Sequence, residues 1–266
     1  MCRVGLIQMV CEKGALDRNR RTMAAVLEQA ARFDVDVVGF PEMNLTGYAD
    51  AARFPQVVVE LEGPEVERTV ALTAAYPFAV LFGIEEHNPA GKPFITQILA
   101  RRGQILGHYR KITIEEEEVN WFTPGNGDVL VFDAGGARLG VSICADLHNE
   151  SVFAACREQG AEIVLELAAP GLYGEQSQRN WQSGYAWWEG DCRRYLGAQA
   201  QSQGLWIAVA TQAGRTIDED FPGGAFVFAP SGERLFTTSD GSPGAVYLDI
   251  DLSQGRVTEL GAVPAP

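Results

Sequence analysis

Three residues of complementary chemistry each stand at the end of an apolar run: the carboxylate of Glu42, the ammonium of Lys111 and the thiol of Cys144. Residues 36–40 read as a short buried strand that Pro41 ends, since proline cannot donate to a ladder. Glu42 therefore sits just past a strand end, where an α/β sheet usually keeps its active site. Cys144 closes the run 138–143 ahead of a polar segment suited to start a helix, and helix N-terminal amides favour a thiolate. Lys111 follows QILGHYR and is a cation able to stabilise a developing oxyanion. Each residue also has a plainer reading. A free cysteine packs as a small hydrophobe, a lysine can simply end an edge strand, and the acidic run 115–118 can be a solvated face. Val119, Trp121 and Phe122 follow that run directly, which points its last member, Glu118, towards a cleft. Asp146 and His148 lie too close to Cys144 in sequence for an ordinary Cys–His pair.

The elements that must position these groups alternate. A strand over residues 3–9 precedes an amphipathic helix over about 17–33, in which Met23, Val26, Leu27, Ala30 and Ala31 recur at helical spacing. After the strand before Pro41, a helix opens near Gly63-Pro64, with proline tolerated in its first turn. Residues 79–86 and 94–102 read as a strand pair, and a third strand, 104–110, runs into Lys111. The second half repeats the rhythm, with strands at 129–132 and 138–143, a helix over 151–159 and a buried strand at 162–167. A polar and aromatic stretch, 170–190, leads into a helix ending near Gln203. Strands at 205–211, 224–228, 234–237 and 245–250 finish the chain, leaving a short Pro/Ala tail. Alternation of this kind with inserted antiparallel pairs predicts a layered α/β fold, read as one domain over residues 1–266.

Composition narrows the function classes. The 266 residues carry a formal net charge of −14, which argues against nucleic acid or an anionic membrane surface as partner. Five cysteines, with no CxxC and no Cys/His cluster of zinc spacing, predict neither a disulfide framework nor a metal site. The N-terminus has no signal-like apolar region, and no run reaches the ~18 apolar residues of a membrane span. The expectation is a reduced, cytoplasmic, soluble protein.

Four blocks in order give the chain a resemblance to the nitrilase (carbon–nitrogen hydrolase) superfamily along nearly its whole length. They are Phe40-Pro41-Glu42 with Leu45-Thr46-Gly47-Tyr48; Tyr109-Arg110-Lys111; Glu118 ahead of Phe122, Pro124 and Gly125; and Gly140-Val141 with Ile143-Cys144 and Asp146, then Gly160-Ala161-Glu162. The resemblance implies an α/β fold, a four-layer αββα sandwich, often dimerised into a homodimer or higher homo-oligomer. It implies Cys144 as nucleophile, Glu42 as general base and acid, and Lys111 with the backbone N–H of Ala145 as oxyanion donors. Glu118, chosen over its neighbours by spacing, is then the acceptor that orients Lys111 or the substrate's amino group. No metal or organic cofactor is called for, and the substrate is a small amide or carbamoyl compound. Tyr48, His148, Asn149 and Tyr173 are candidates for the pocket, with an aromatic wall from residues 171–188 as one use of Tyr173, Trp181, Tyr185, Trp187 and Trp188. Packing of a helix or a dimer contact is the other.

The sequence also departs from the family pattern. Family members carry Pro-Glu at the start of the helix after the cysteine; here Asn149-Glu150 comes one residue earlier, without the proline. Ala198-Gln199-Ala200 followed by Ser202-Gln203 stands where relatives show Ala-Arg-Ala and Glu-Asn. Ala145-Asp146 replaces the Trp-Glu of classical nitrilases, which favours an amide over a nitrile. N-carbamoyl amino acid hydrolysis or nitrilase activity is the alternative, the former with Arg179, Arg193 and Arg194 as candidate carboxylate partners. A catalytically idle binding or scaffold member is the alternative from another class, and a redox-sensing thiol ranks last because no resolving cysteine lies near Cys144.

Overall fold

The computed structural model describes residues 1–172 and 181–264. Its elements run in chain order as β1 (Cys2–Gln8), α1 (Leu16–Ala30), β2 (Val37–Gly39), β3 (Val58–Val59), α2 (Pro64–Leu72), β4 (Ala79–Glu86), β5 (Phe94–Arg101) and β6 (Gln104–Arg110). There follow α3 (Glu118–Trp121), β7 (Val131–Ala134), β8 (Ala137–Ser142), α4 (Glu150–Glu158), β9 (Ile163–Ala168), α5 (Trp181–Asp191) and α6 (Gly197–Gln203). The remainder is β10 (Trp206–Thr211), β11 (Ala213–Arg215), β12 (Asp220–Pro222), β13 (Ala225–Phe228), β14 (Arg234–Thr237), β15 (Gly244–Asp251) and β16 (Arg256–Pro264).

Two large sheets result. The first has the order β16-β15-β1-β2-β4-β5-β6, with β3 added to β4, and the second has β14-β13-β10-β9-β8-β7. Side chains alternate between faces along a strand, and the sequence uses that period to serve two cores. Val4, Leu6, Val37 and Leu81 point into a core shared with Leu139, Val141 and Leu165 of the second sheet. Ile7, Val38, Val80 and Phe82, one residue out of phase, face Val26 and Leu27 of α1 and Val66 of α2. On the far side α4 packs on β8 and α6. The layers are thus helix, sheet, sheet and helix, the sandwich that the resemblance implied.

The helix expected over 17–33 is α1 followed by a 3-10 turn, Ala31–Phe33, which ends at Asp34 with φ 48°. The first strand of the second sheet lies at Val131–Ala134, two residues later than expected. The largest correction is at the C-terminal end. Residues taken as a tail form β16, paired antiparallel to β15 from Gly244↔Pro264 to Asp251↔Arg256. The register passes from Tyr247↔Gly261 to Leu248↔Glu259, so a bulge skips Leu260 and breaks the alternation by which a strand is recognised. No helix among the described residues is long and apolar enough to cross a membrane.

Candidate active site

Glu42, Lys111 and Cys144 leave three strands of two sheets and meet at one point between them. Glu42 follows β2, whose extension is fixed by the Phe40 N–H donating to the Leu81 carbonyl at 3.0 Å. The Gln97 side-chain amide donates to the carbonyls of Phe40 and Pro41, both at 3.2 Å. Behind the turn lies Gly83, where a Cβ would stand 2.3 Å from the Met43 nitrogen. Lys111 follows β6 and is held by its own N–H to Ile95 O at 2.9 Å and by Gly125 N–H to its carbonyl at 2.8 Å. A Cβ on Gly125 would fall 2.4 Å from Arg110 O, so glycine is required there too.

Cys144 opens a 3-10 turn, Cys144–His148, at the end of β8 with φ 44°. Of the five non-glycine residues with positive φ among the described residues, Met43, Glu116 and Cys144 flank this site. Left-handed backbone costs an ordinary side chain of order 1 kcal/mol, so the strain is concentrated where reacting groups are presented. Asp146 holds the turn: its carboxylate accepts from Ile143 N–H at 3.1 Å, Thr113 N–H at 2.8 Å and the Tyr109 hydroxyl at 2.6 Å.

The side chains form a chain of charge. The Lys111 ammonium donates to Glu42 Oε1 at 2.8 Å and to Glu118 Oε1 and Oε2 at 2.7 and 3.0 Å. Glu42 Oε2 accepts from Ala169 N–H at 3.1 Å, and the same carboxylate is close enough to Cys144 for the two to influence each other's ionisation. Tyr48 donates its hydroxyl to Glu118 Oε1 at 2.9 Å. Among the four glutamates in the run, Glu118 is the buried one, because it begins α3 and turns inward.

Burial pushes the Glu42 carboxyl up to about 7, with Lys111 pulling it down and Glu118 pushing further up. Burial alone would depress Lys111, but Glu118 and Glu42 outweigh it and hold the ammonium charged. Burial and the neighbouring Glu42 raise the Cys144 thiol well above its ordinary value, against the pull of Lys111. These shifts favour the thiol over the thiolate, beside the Glu42 carboxyl. A cavity of about 300 Å³ opens over Cys144, Ala145, Lys111 and Glu118.

The pocket candidates divide. Tyr48 and His148 line the cavity; His148 Nδ1 lies 2.9 Å from a Glu115 carboxylate oxygen, with its ring edge-on to Tyr195. Asn149 does not line it. Its side chain accepts from Ser151 N–H at 3.1 Å to cap α4 and donates to Thr113 at 3.0 Å, a cap that replaces the missing proline. Tyr173 and Arg179 lie outside the described residues. Of the expected aromatic wall, Trp187 and Trp188 line the cavity, whereas Tyr185 donates to Thr238 O at 2.7 Å and Trp181 faces outward. Arg193 and Arg194 are exposed on the turn after α5 and line no part of the cavity. Sequence reading missed Gln97 and Glu219, the second of which lines the cavity from the turn between β11 and β12. A glutamine in the middle of the apolar strand FITQILAR was the available signal for the first.

This chain belongs to the carbon–nitrogen hydrolase family, whose model matches residues 3–259. It is 26% identical over 253 residues to an (R)-stereoselective amidase from a Pseudomonas species, covering 94% of this chain and 85% of that one. It is 23% identical over 270 residues to the glutamine-dependent NAD(+) synthetase of Acinetobacter baylyi, covering 99% of this chain and 47% of the synthetase. Against several curated relatives the chain thus spans about half of their length. Among solved structures, an amidase of the nitrilase superfamily from Nesterenkonia superposes with a TM-score of 0.77 at 23% identity, over 96% of this chain and 94% of that one.

Proposed function

We propose that the protein hydrolyses the C–N bond of a small, linear, non-peptide amide through a thioester on Cys144. The observation that carries this reading is the buried Lys111 ammonium shared between Glu42 and Glu118, on one cavity wall with Cys144. Cys144 Sγ attacks the amide carbon while Glu42 takes the thiol proton, and the carbonyl π electrons move to oxygen. The oxyanion is held by Lys111 and the N–H of Ala145. When the tetrahedral intermediate collapses, the C–N bond breaks and Glu42 returns the proton to the leaving nitrogen, releasing ammonia or an amine. Water then enters, gives a proton to Glu42 and attacks the thioester carbon. The C–S bond breaks, the carboxylic acid leaves and the thiol is restored. Glu118 keeps Lys111 aimed throughout, and Tyr48 keeps Glu118 in place.

The reading is supported by the family and by an amidase among the relatives. Of the arginines considered for a carbamoyl acid, the two described ones, Arg193 and Arg194, do not line the cavity. The test is acyl trapping: incubation with a short aliphatic amide, acid quench and intact-mass measurement. The parent chain gains the acyl mass on the peptide holding Cys144, and Cys144→Ala gains none and turns nothing over. Undiminished amide hydrolysis by Cys144→Ala sinks the proposal. Iodoacetamide labelling of Cys144 no faster than that of Cys156 or Cys192 favours the idle scaffold instead.

A further inference from the structure

The acidic run read from sequence as a solvated face lines the reaction cavity. Glu115, Glu116 and Glu117 all border it, together with Glu118 and Glu219 from a distant turn. The basic side chains among the described lining residues are already engaged: the Lys111 ammonium lies between two glutamates, and the His148 ring lies against Glu115. Glu219 is unlike the other wall acids in being buried and half-paired. Its side chain is 1% exposed, and Oε2 accepts from Lys13 at 2.8 Å. Oε1 has no hydrogen-bond partner. That oxygen fills the space beside Gly171, also a lining residue, where a Cβ would come within 1.7 Å of it. A buried acceptor left open at a cavity wall is costly unless a ligand completes it. The remaining walls include the rings of Trp121 and Trp187, and aromatic faces attract cations.

We infer that the amide substrate carries a cationic group, an alkylammonium or guanidinium, remote from the scissile bond and held among Glu219, the 115–117 acids and the tryptophan rings. This inference rests on the amidase reading and names its substrate class. A substrate bearing a carboxylate meets like charge on the same walls, which disfavours carbamoyl amino acids. An ammonium gains from each wall carboxylate, and those on the exposed part of the run lose strength as salt screens them.

The test compares δ-aminovaleramide with its uncharged isostere hexanamide and with glutaramate, by kcat/KM in the parent chain and by calorimetric binding to Cys144→Ala. The expected order is aminovaleramide first, about tenfold or more over hexanamide, with glutaramate last. Glu219→Gln reduces the aminovaleramide-to-hexanamide ratio several-fold, and added salt lowers it further. Hexanamide turned over as well as aminovaleramide overturns the cation inference and leaves the amidase reading standing. Preferential binding of aminovaleramide to Cys144→Ala without turnover by the parent supports the cation site and sinks the amidase reading. Neither turnover nor a binding difference overturns both.

Discussion

The hydroxyl of Tyr109 donates to Asp146 at 2.6 Å, and this contact ties the strand that delivers Lys111 to the turn that delivers Cys144. The same carboxylate accepts the N–H groups of Thr113 and Ile143, so one buried acid ties the segment after Lys111 to the turn that presents the Cys144 thiol. Tyr109→Phe removes one of three donors to a buried charge and is expected to cost about 1–3 kcal/mol of stability. Asp146→Asn is expected to cost at least as much, and the two changes combined less than their sum, because both break one contact. Denaturant unfolding of the two single variants and the double variant measures this, and strict additivity contradicts it.

Lys111→Met leaves Glu42 and Glu118 buried without their shared cation. The expected outcome is a loss of about 3 kcal/mol or more at neutral pH, with a smaller loss in mild acid as Glu42, already raised by burial, takes up a proton. Hydrolysis falls by about 10²-fold or more, the scale for losing an oxyanion donor. Thermal unfolding at the two pH values and an ammonia-release assay check both halves.

The pH profile follows from Glu42. It must be unprotonated to accept the thiol proton, and its carboxyl is raised to about 7, chiefly by burial. kcat/KM is therefore expected to rise with pH and level off above about 7, falling roughly tenfold per unit on the acid side. A profile flat from about pH 5 to 8 removes Glu42 from the role of base.

Glu85 gives a stability signal separate from catalysis. It is fully buried in β4, neither carboxylate oxygen has a hydrogen-bond partner, and burial raises it from 4.5 to about 8, with Asp50 adding to the shift. Between those values the native state holds the extra proton, so its contribution is present in acid and is lost as pH rises through about 8. Glu85→Gln is expected to gain a few kcal/mol on the parent between about pH 5 and pH 9, read from urea midpoints at each pH.

Gly83→Ala places a methyl 2.3 Å from the Met43 nitrogen and 3.2 Å from the Glu42 carbonyl carbon. Displacing Glu42 by a fraction of an ångström is expected to reduce kcat by about 10²-fold. Gly190→Ala, a helical position with nothing within 4 Å of the added carbon, serves as the control and leaves kcat unchanged.

Much of this site is legible in sequence because each group sits where a periodic apolar run stops. Proline after Phe40, the polar residues after Ile143 and the lysine after Arg110 all mark strand ends, and strand ends are where two packed sheets can share residues. Glu118 is legible only by spacing from Lys111 and Pro124-Gly125, since four consecutive glutamates look alike until α3 turns one of them inward. Asn149 misleads because a capping residue and a pocket residue are both polar, and neighbourhood to Cys144 does not separate them. Glu219 is invisible for a different reason. It lies far from every other site residue in the chain, and only the placement of β11 and β12 brings it to the wall. β16 fails to read as a strand because its bulge destroys the two-residue period.

The pairing of β1 with β15, from Cys2↔Ile250 to Gln8↔Gly244, has a consequence for synthesis. A ribosome makes β1 about 240 residues before its antiparallel neighbour, an interval of order ten seconds or more at ordinary elongation rates. Glu42, Lys111 and Cys144 have all emerged well before then, yet the sheet carrying the first two still lacks that edge. The sheet that carries Glu42 and Lys111 therefore closes on β1 only after β15 has been made, later than each of the three groups it has to align.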